Sequence, residues 1–222
     1  MTDTTQPLTH VLIIGGHGKV ALLLASLLVE QGFHVNAAIR NPDHAADVRA
    51  TGAIPVVADV EQLDEDALAE LISGHDAVVW SAGAGGGNPE RTSAVDRDAA
   101  IRSMDAAAAA GARRYVMVSY FGARADHGVP EDNPFWHYAE AKAAADDHLR
   151  GTDLDWTILG PSKLTLDPPT GEITVVGEAS EVGRADVAAV AAHVLRDPTT
   201  IGRTIRFNAG DTPIADALAG RS

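Results

Sequence analysis

Three residues in the second half of the chain could share one piece of chemistry: Ser119, Tyr138 and Lys142. Tyr138 and Lys142 lie four apart within Phe135 to Arg150, a segment of helical periodicity, so both side chains leave one helix face. Ser119 closes a β-rich run, Tyr115 to Val118. A hydroxyl, a phenol and an ammonium converging on one point can deliver a proton to an oxygen that gains charge as its carbon is reduced. Tyr138 is the acid in such a set, and with a pKa near ~10 it is too weak unless helped. A Lys142 ammonium beside it stabilises the phenolate and lowers that value. Ser119 then orients the substrate oxygen. Tyr120, directly after Ser119, is a rival hydroxyl donor that the sequence does not rank against Tyr138. Tyr-x-x-x-Lys also arises by chance, with the tyrosine a packing ring and the lysine a solvated cation.

A second constellation, Ile13-Ile14-Gly15-Gly16-His17-Gly18-Lys19-Val20-Ala21, reads as a buried strand, a glycine-rich turn and the first turn of an apolar helix. Gly15 permits the tight bend, Gly18 lets a pyrophosphate approach the backbone, and small Ala21 permits close helix–strand packing. The free N–H groups at the helix start face the anion, with His17, Lys19 and Val20 beside it. Where the next strand ends, NAD-preferring proteins place an acid on the ribose 2′-hydroxyl. Here the residue is Arg40, whose guanidinium suits a 2′-phosphate, so the expected cofactor is NADP(H) rather than NAD(H). Arg40 reads equally as a solvated strand-end cation. Asp59 and Val60 line the adenine pocket in this scheme, although Asp59 also suits a helix N-cap.

Positioning these residues requires a sheet. Seven β-rich runs alternate with helical segments: Val11 to Ile14, Val35 to Ile39, Ile54 to Ala58, Ala77 to Trp80, Tyr115 to Val118, Trp156 to Leu159 and Thr204 to Phe207. Helices are expected at Lys19 to Gln31, Leu63 to Ile72, Asp96 to Ala110, Phe135 to Arg150 and Ala185 to Leu195, with Asp96 capping the third. The pattern predicts an α/β fold, a doubly wound parallel sheet (Rossmann fold) of about seven strands in a single domain over residues 1–222, with residues 1–9 a flexible lead. Gly83 to Pro89 and Gly122 to Pro134 break the rhythm after strand C-termini, where open α/β sheets bind ligands. Substrate-side elements are expected near 120–137 and 161–182, the latter with a small hairpin around Ile173 to Val176. Phe121, Phe135 and Trp136 form either an apolar lid there or anchors for the loop. His127 and His137 flank it, most simply as solvent-facing side chains.

Taken together these segments resemble an atypical short-chain dehydrogenase/reductase, of the small NAD(P)H-binding group related to NmrA-like and biliverdin-reductase-B-like proteins. Besides the turn, the resemblance rests on Ser81-Ala82-Gly83-Ala84-Gly85, Tyr115-Val116-Met117-Val118-Ser119, Tyr138-Ala139-Glu140-Ala141-Lys142, Trp156-Thr157-Ile158-Leu159-Gly160-Pro161 and Arg184-Ala185-Asp186-Val187-Ala188. It implies that Ser81, Ala82 and Gly83 neighbour the cofactor, that Thr157 to Pro161 brings Pro161 against the nicotinamide, and that Lys142 holds the nicotinamide ribose. Family members commonly carry Arg before that proline, where this chain has Gly160. Arg184 and Asp186 read as structural residues.

Composition bounds the partners. A net charge of −14 argues against a nucleic-acid surface, and no apolar run is long enough for a membrane span. There is no cysteine, hence no thiolate nucleophile, and no His/Asp/Glu spacing suggests a metal. Ser119 lacks the G-x-S-x-G turn of a hydrolase. The expectation is a cytoplasmic monomer or homodimer transferring hydride between NADP(H) and a small organic acceptor over the nicotinamide. The alternatives are an NmrA-like NADP-binding redox sensor without turnover and, third, a sugar-nucleotide epimerase or dehydratase.

Overall fold

A computed structural model describes residues 8–85, 88–175 and 177–220. Most of the expected flexible lead, Gly86 and Gly87 of the first irregular stretch, and Val176 of the expected hairpin lie outside the described residues.

The elements in chain order are β1 (His10–Ile14), α1 (Lys19–Glu30), β2 (His34–Ile39), α2 (Ala45–Ala50), β3 (Ile54–Val57), α3 (Glu65–Ile72), β4 (Ala77–Trp80), α4 (Pro89–Thr92), α5 (Ala100–Ala110), β5 (Arg114–Val118), α6 (Trp136–Arg150), β6 (Asp155–Pro161), β7 (Lys163–Thr165), β8 (Glu172–Val175), β9 (Glu181–Gly183), α7 (Arg184–Arg196), β10 (Arg203–Ala209), β11 (Thr212–Pro213) and α8 (Ile214–Leu218). A π-helical stretch, Ser93–Ala99, joins α4 to α5.

The sheet has nine strands in the order β11-β8-β10-β6-β5-β4-β1-β2-β3. Its seven parallel strands, β3 through β10 in that order, are the seven runs expected from sequence. The two additional strands, β8 and β11, extend the β10 edge in antiparallel pairing. The expected hairpin around Ile173 is instead the penultimate strand of the main sheet, paired with β10 on one side, where Ile173 and Val175 meet Ala209 and Phe207, and with β11 on the other. β7 and β9 form a separate short parallel pair.

Period-two alternation divides each central strand between two cores. Val11 and Ile13 of β1 face the layer of α1 and α7, while Leu12 and Ile14 face the layer of α3, α5 and α6. The chain starts at β1, winds outward to β3, then returns to β4 and winds the other way. Connections leaving β1 and β4 in opposite directions open a crevice at their C-terminal ends, which is where the glycine turn lies.

The helix expected from Asp96 begins earlier. Asn88 caps it by accepting from Arg91 N at 3.0 Å, and Pro89 occupies its first turn, where a missing N–H costs nothing. Asp96 is consequently not a cap: it lies mid-helix in the π-helical stretch, 1% exposed, and accepts from Ala84 N at 3.0 Å. Among the described residues no helix is long and apolar enough to cross a membrane.

Candidate functional site

The glycine turn is held by contacts no side chain would permit. Gly15 has φ +85°, and a Cβ on it would sit 2.5 Å from the backbone of Ala82 at the end of β4. Gly16, which had no expected role, donates to Ala38 O at 2.8 Å, and a Cβ there would meet the Ala37 side chain at 2.6 Å. Gly18 precedes α1 and offers no side-chain cap. The N–H groups of Lys19, Val20 and Ala21 precede the first helical bond, Leu22 N to Gly18 O, and Lys19 and Val20 line the crevice. Uncapped donors at the positive end of an apolar helix, with backbone rather than side chains at the approach, suit a pyrophosphate.

Two connected hollows flank this turn and share Gly18 and Ser81 to Gly83. The smaller, about 380 Å³, is lined by Gly15, His17, Arg40, His44, Asp59 and Val60, and has the dimensions and polarity of an adenosine pocket. Arg40 is exposed, with Nη1 4.0 Å from Glu61 Oε2, a carboxylate that also receives Arg91 Nε at 3.2 Å. His17 is drawn toward α2: its Nε2 lies 2.8 Å from Asp47 and its ring stacks on His44 with centroids 3.6 Å apart. Asp59 lines the pocket and accepts from Glu61 N at 3.3 Å in the turn after β3, but it is not a helix cap: that role at α3 belongs to Asp64, which accepts from Ala67 N at 2.9 Å.

The larger hollow, about 780 Å³, runs from Gly18, Lys19 and Val20 to Ser119, Tyr138 and Lys142, which the fold brings to one wall. Phe135, 42% exposed, stands at its mouth, and Glu131 to Pro134 form the rim. Tyr120 stays behind: its ring packs against Phe135 and Tyr138 at 5.4 and 5.5 Å, and its buried hydroxyl has no partner among the described residues. Pro161 ends β6 with its carbonyl accepting from Phe121 N at 2.9 Å, and is not among the residues lining the hollow. His137 lines it, whereas His127 accepts from Val129 N and pairs with Glu140 at 2.8 Å, pinning the loop. Arg184 donates to the carbonyls of Leu164 and Thr165, and Asp186 accepts from Thr170 N and Gly171 N, so both are structural as expected.

Beneath the hollow lies a charged cluster that spacing alone did not disclose. Lys142, 1% exposed, donates to Val118 O at 3.0 Å and approaches Met117 Sδ at 3.4 Å. Burial pulls its ammonium pKa down, opposed by the carboxylates of Asp146 and Asp96. Asp146, one turn further along α6 and 0% exposed, accepts from Ser119 Oγ at 2.6 Å. Burial pushes both carboxyls up, with Lys142 opposing in each case. The Tyr138 phenol is also pushed up, by burial and by Asp96, Tyr120 and Asp146, the reverse of the lowering expected from Lys142. The i, i+4, i+8 run Tyr138, Lys142, Asp146 was the available signal for Asp146. For Asp96 the signal was Asn88-Pro89, which marks the true helix start.

Gly160 also acquires a physical reason. It pairs with Arg206 of β10, and a Cβ at 160 would fall 3.2 Å from Arg206 Cγ. Arg206 runs across the vacant position toward Asp146, whose carboxylate it favours.

The comparisons bear on this geometry directly. A family model described as NAD(P)H-binding matches residues 15–198, from the first glycine of the turn to the end of the last crossover. The chain belongs to this NAD(P)H-binding family. Within it, the resemblance to atypical short-chain dehydrogenases/reductases holds. A Bacillus subtilis relative, the uncharacterized sugar epimerase YhfK, is 34% identical over 212 residues, covering 94% of this chain and 98% of its own. A solved Bacillus halodurans protein, provisionally described as an NAD-dependent epimerase/dehydratase, is 34% identical with a TM-score of 0.87, covering 96% of this chain and 99% of its own. The Lactococcus lactis oxidoreductase ylbE is 26% identical with a TM-score of 0.85, covering 96% of each chain.

Proposed function

We propose that the chain is an NADPH-dependent oxidoreductase that passes hydride to a small organic acceptor seated between Ser119, Tyr138 and Phe135. The observation that carries this reading is the continuity of one crevice from the uncapped start of α1 to the Ser119, Tyr138 and Lys142 wall. Bound NADPH supplies the hydride. Gly15, Gly18 and the N–H groups of Lys19 to Ala21 hold its pyrophosphate, and Ser81 to Gly83 form the floor between its two halves. Arg40 supports preference for the 2′-phosphate, since it stands on the adenosine side with more than half its side chain open to solvent. Ser119 and the neutral Tyr138 phenol hydrogen-bond the acceptor oxygen, and Lys142 keeps the strand end and the buried carboxyls in place beneath it. The test is loss of NADPH absorbance over a panel of carbonyls and quinones, repeated with NADH. Slower or equal consumption of NADPH relative to NADH would contradict the 2′-phosphate preference.

The descriptions of the Bacillus relatives favour a second reading, sugar-nucleotide epimerisation. It ranks below reduction because residues 172–218 are spent on β8 to β11, α7 and α8, which complete the sheet and its cover rather than a sugar-nucleotide lobe. Epimerisation returns the cofactor to its starting state. Conversion of a nucleotide-sugar without net NADPH loss would therefore establish it over the first.

A further inference from the structure

Asp146 is fully buried, and its surroundings are incomplete for an anion. One oxygen meets Ser119 Oγ at 2.6 Å, while the other, Oδ1, is buried with no donor among the described residues. Lys142 does not pair with it directly: its ammonium is turned to Val118 O and Met117 Sδ, and among the described residues no ion pair within 4.0 Å joins Lys142 to a carboxylate. A carboxylate oxygen stripped of water and given no donor is costly, whereas the carbonyl oxygen of a neutral carboxylic acid in the same place costs far less. Ser119, the sole hydrogen-bond partner, is the residue that faces the cleft.

We propose that Asp146 rests as a neutral carboxylic acid and is the proton reservoir for reduction, passing its proton to the acceptor through the hydroxyl of Ser119. In that state Oδ2 carries the proton and the 2.6 Å bond runs from Asp146 Oδ2–H to Ser119 Oγ, which leaves the Ser119 hydroxyl hydrogen free to point at the acceptor. This rests on the reductase reading above. The acceptor carbon takes a hydride, with its two electrons, from the reduced nicotinamide, which becomes the oxidised ring. The C=O π pair moves onto oxygen. That oxygen takes the Ser119 hydroxyl proton as Ser119 Oγ takes the proton of Asp146. Asp146 is left as a carboxylate, and solvent entering the cleft on product release returns the proton by the same route. The groups facing Asp146 suit a transient anion: Lys142 and Arg150 on α6 and Arg206 on β10 favour it, while Tyr138 and Tyr120 stay neutral beside it. Burial raises the carboxyl as the proposal requires. Tyr138 then acts as a hydrogen-bond donor and not as the acid, consistent with its raised phenol.

The first measurement is independent of turnover. Infrared difference spectra of the protein with 13C-carboxyl-labelled aspartate at pH 7 should show the carbonyl stretch of a protonated side-chain carboxyl. That band should vanish in Asp146→Asn and persist in Ser119→Ala. Asp96→Asn separates the other raised carboxyl. A wild type with no such band, or a band that survives Asp146→Asn, overturns the proposal. The second measurement is NADPH oxidation by an ortho-quinone from pH 6 to 9. Asp146→Asn should lower kcat about 100-fold and lose the alkaline fall in rate, with NADPH affinity within about twofold of wild type. Ser119→Ala, which leaves the carboxyl in place, should show the same loss if Asp146→Asn folds poorly. Retained kcat and an unchanged alkaline limb in both variants overturn the relay. If wild type oxidises NADPH with no acceptor at all, the reductase reading falls, and the infrared band alone decides the state of Asp146.

Discussion

At its adenosine end the crevice is walled by backbone: Gly15 against Ala82, Gly16 against Ala37, and three N–H groups left unpaired at the start of α1. At its other end the wall is assembled from charged and hydroxyl side chains of the π-helical stretch, β5 and α6, namely Asp96, Ser119, Lys142 and Asp146. The first region achieves attraction for an anion with almost no buried charge, which suits a chain of net charge −14. The second concentrates two carboxyls and an ammonium where water is excluded, so protonation states there depend on one another. One region is a rigid receptor and the other a titrating one, and they respond differently to substitution.

The largest pH-dependent effect is expected in the titrating region. Lys142→Met removes the ammonium between Asp96 and Asp146 and the donor to Val118 O, and should cost about 1–3 kcal/mol of stability at neutral pH. Both carboxyls already have raised pKa values, from burial first, and loss of the ammonium raises them further. Stability tied to a raised carboxyl is fully present below its unfolded value of ~4 and is lost as pH rises through the folded value. Urea unfolding from pH 5 to 8 should therefore show a penalty that grows with pH. A penalty constant across that range would mean that the cluster does not titrate as a unit.

In the rigid region, Gly15→Val should cost about 3 kcal/mol through strain and collision with Ala82, and should abolish NADPH binding measured by calorimetry. Gly32→Ala is its control. Gly32 has φ +87° but nothing within 4 Å of a Cβ, so only about 1 kcal/mol of backbone cost is expected, with binding intact. Equal losses at the two glycines would break the distinction between close approach and mere turn geometry. Next, Arg40→Ala should weaken NADPH about tenfold to a hundredfold in a binding titration and leave NADH within about twofold. The smallest effect belongs to Tyr138→Phe, which removes one neutral hydrogen bond and should lower kcat/KM about tenfold without moving the pH profile. A shift in that profile would return the acid role to Tyr138.

The two regions also differ in how far they could be read from sequence. The glycine turn and the seven parallel strands are coded by consecutive residues, since period-two burial and a strand-to-helix turn are local properties. Arg40, Ser119, Tyr138 and Lys142 were placed on a common crevice by the same logic of strand ends and helix faces. Asp96 was misread as a cap because the apolar period resumes there, while the true start at Asn88-Pro89 sits beside a glycine-rich stretch that looks like loop. A π-helical turn shifts every following side chain by part of a turn, and no pattern of residue types announces it. Asp146 received no role from the sequence. Its burial follows from the approach of β5 and β10, contacts distant in sequence. The sign of the Tyr138 shift follows from the same packing, because burial of the phenol, first of all, pushes its pKa up.

Gly160 and Arg206 pair across β6 and β10, and the glycine's missing side chain is the path the arginine takes. The two positions form one berth with room for a single long side chain. An arginine introduced at 160 would evict the one at 206, so tolerated change at either site should come as a paired exchange.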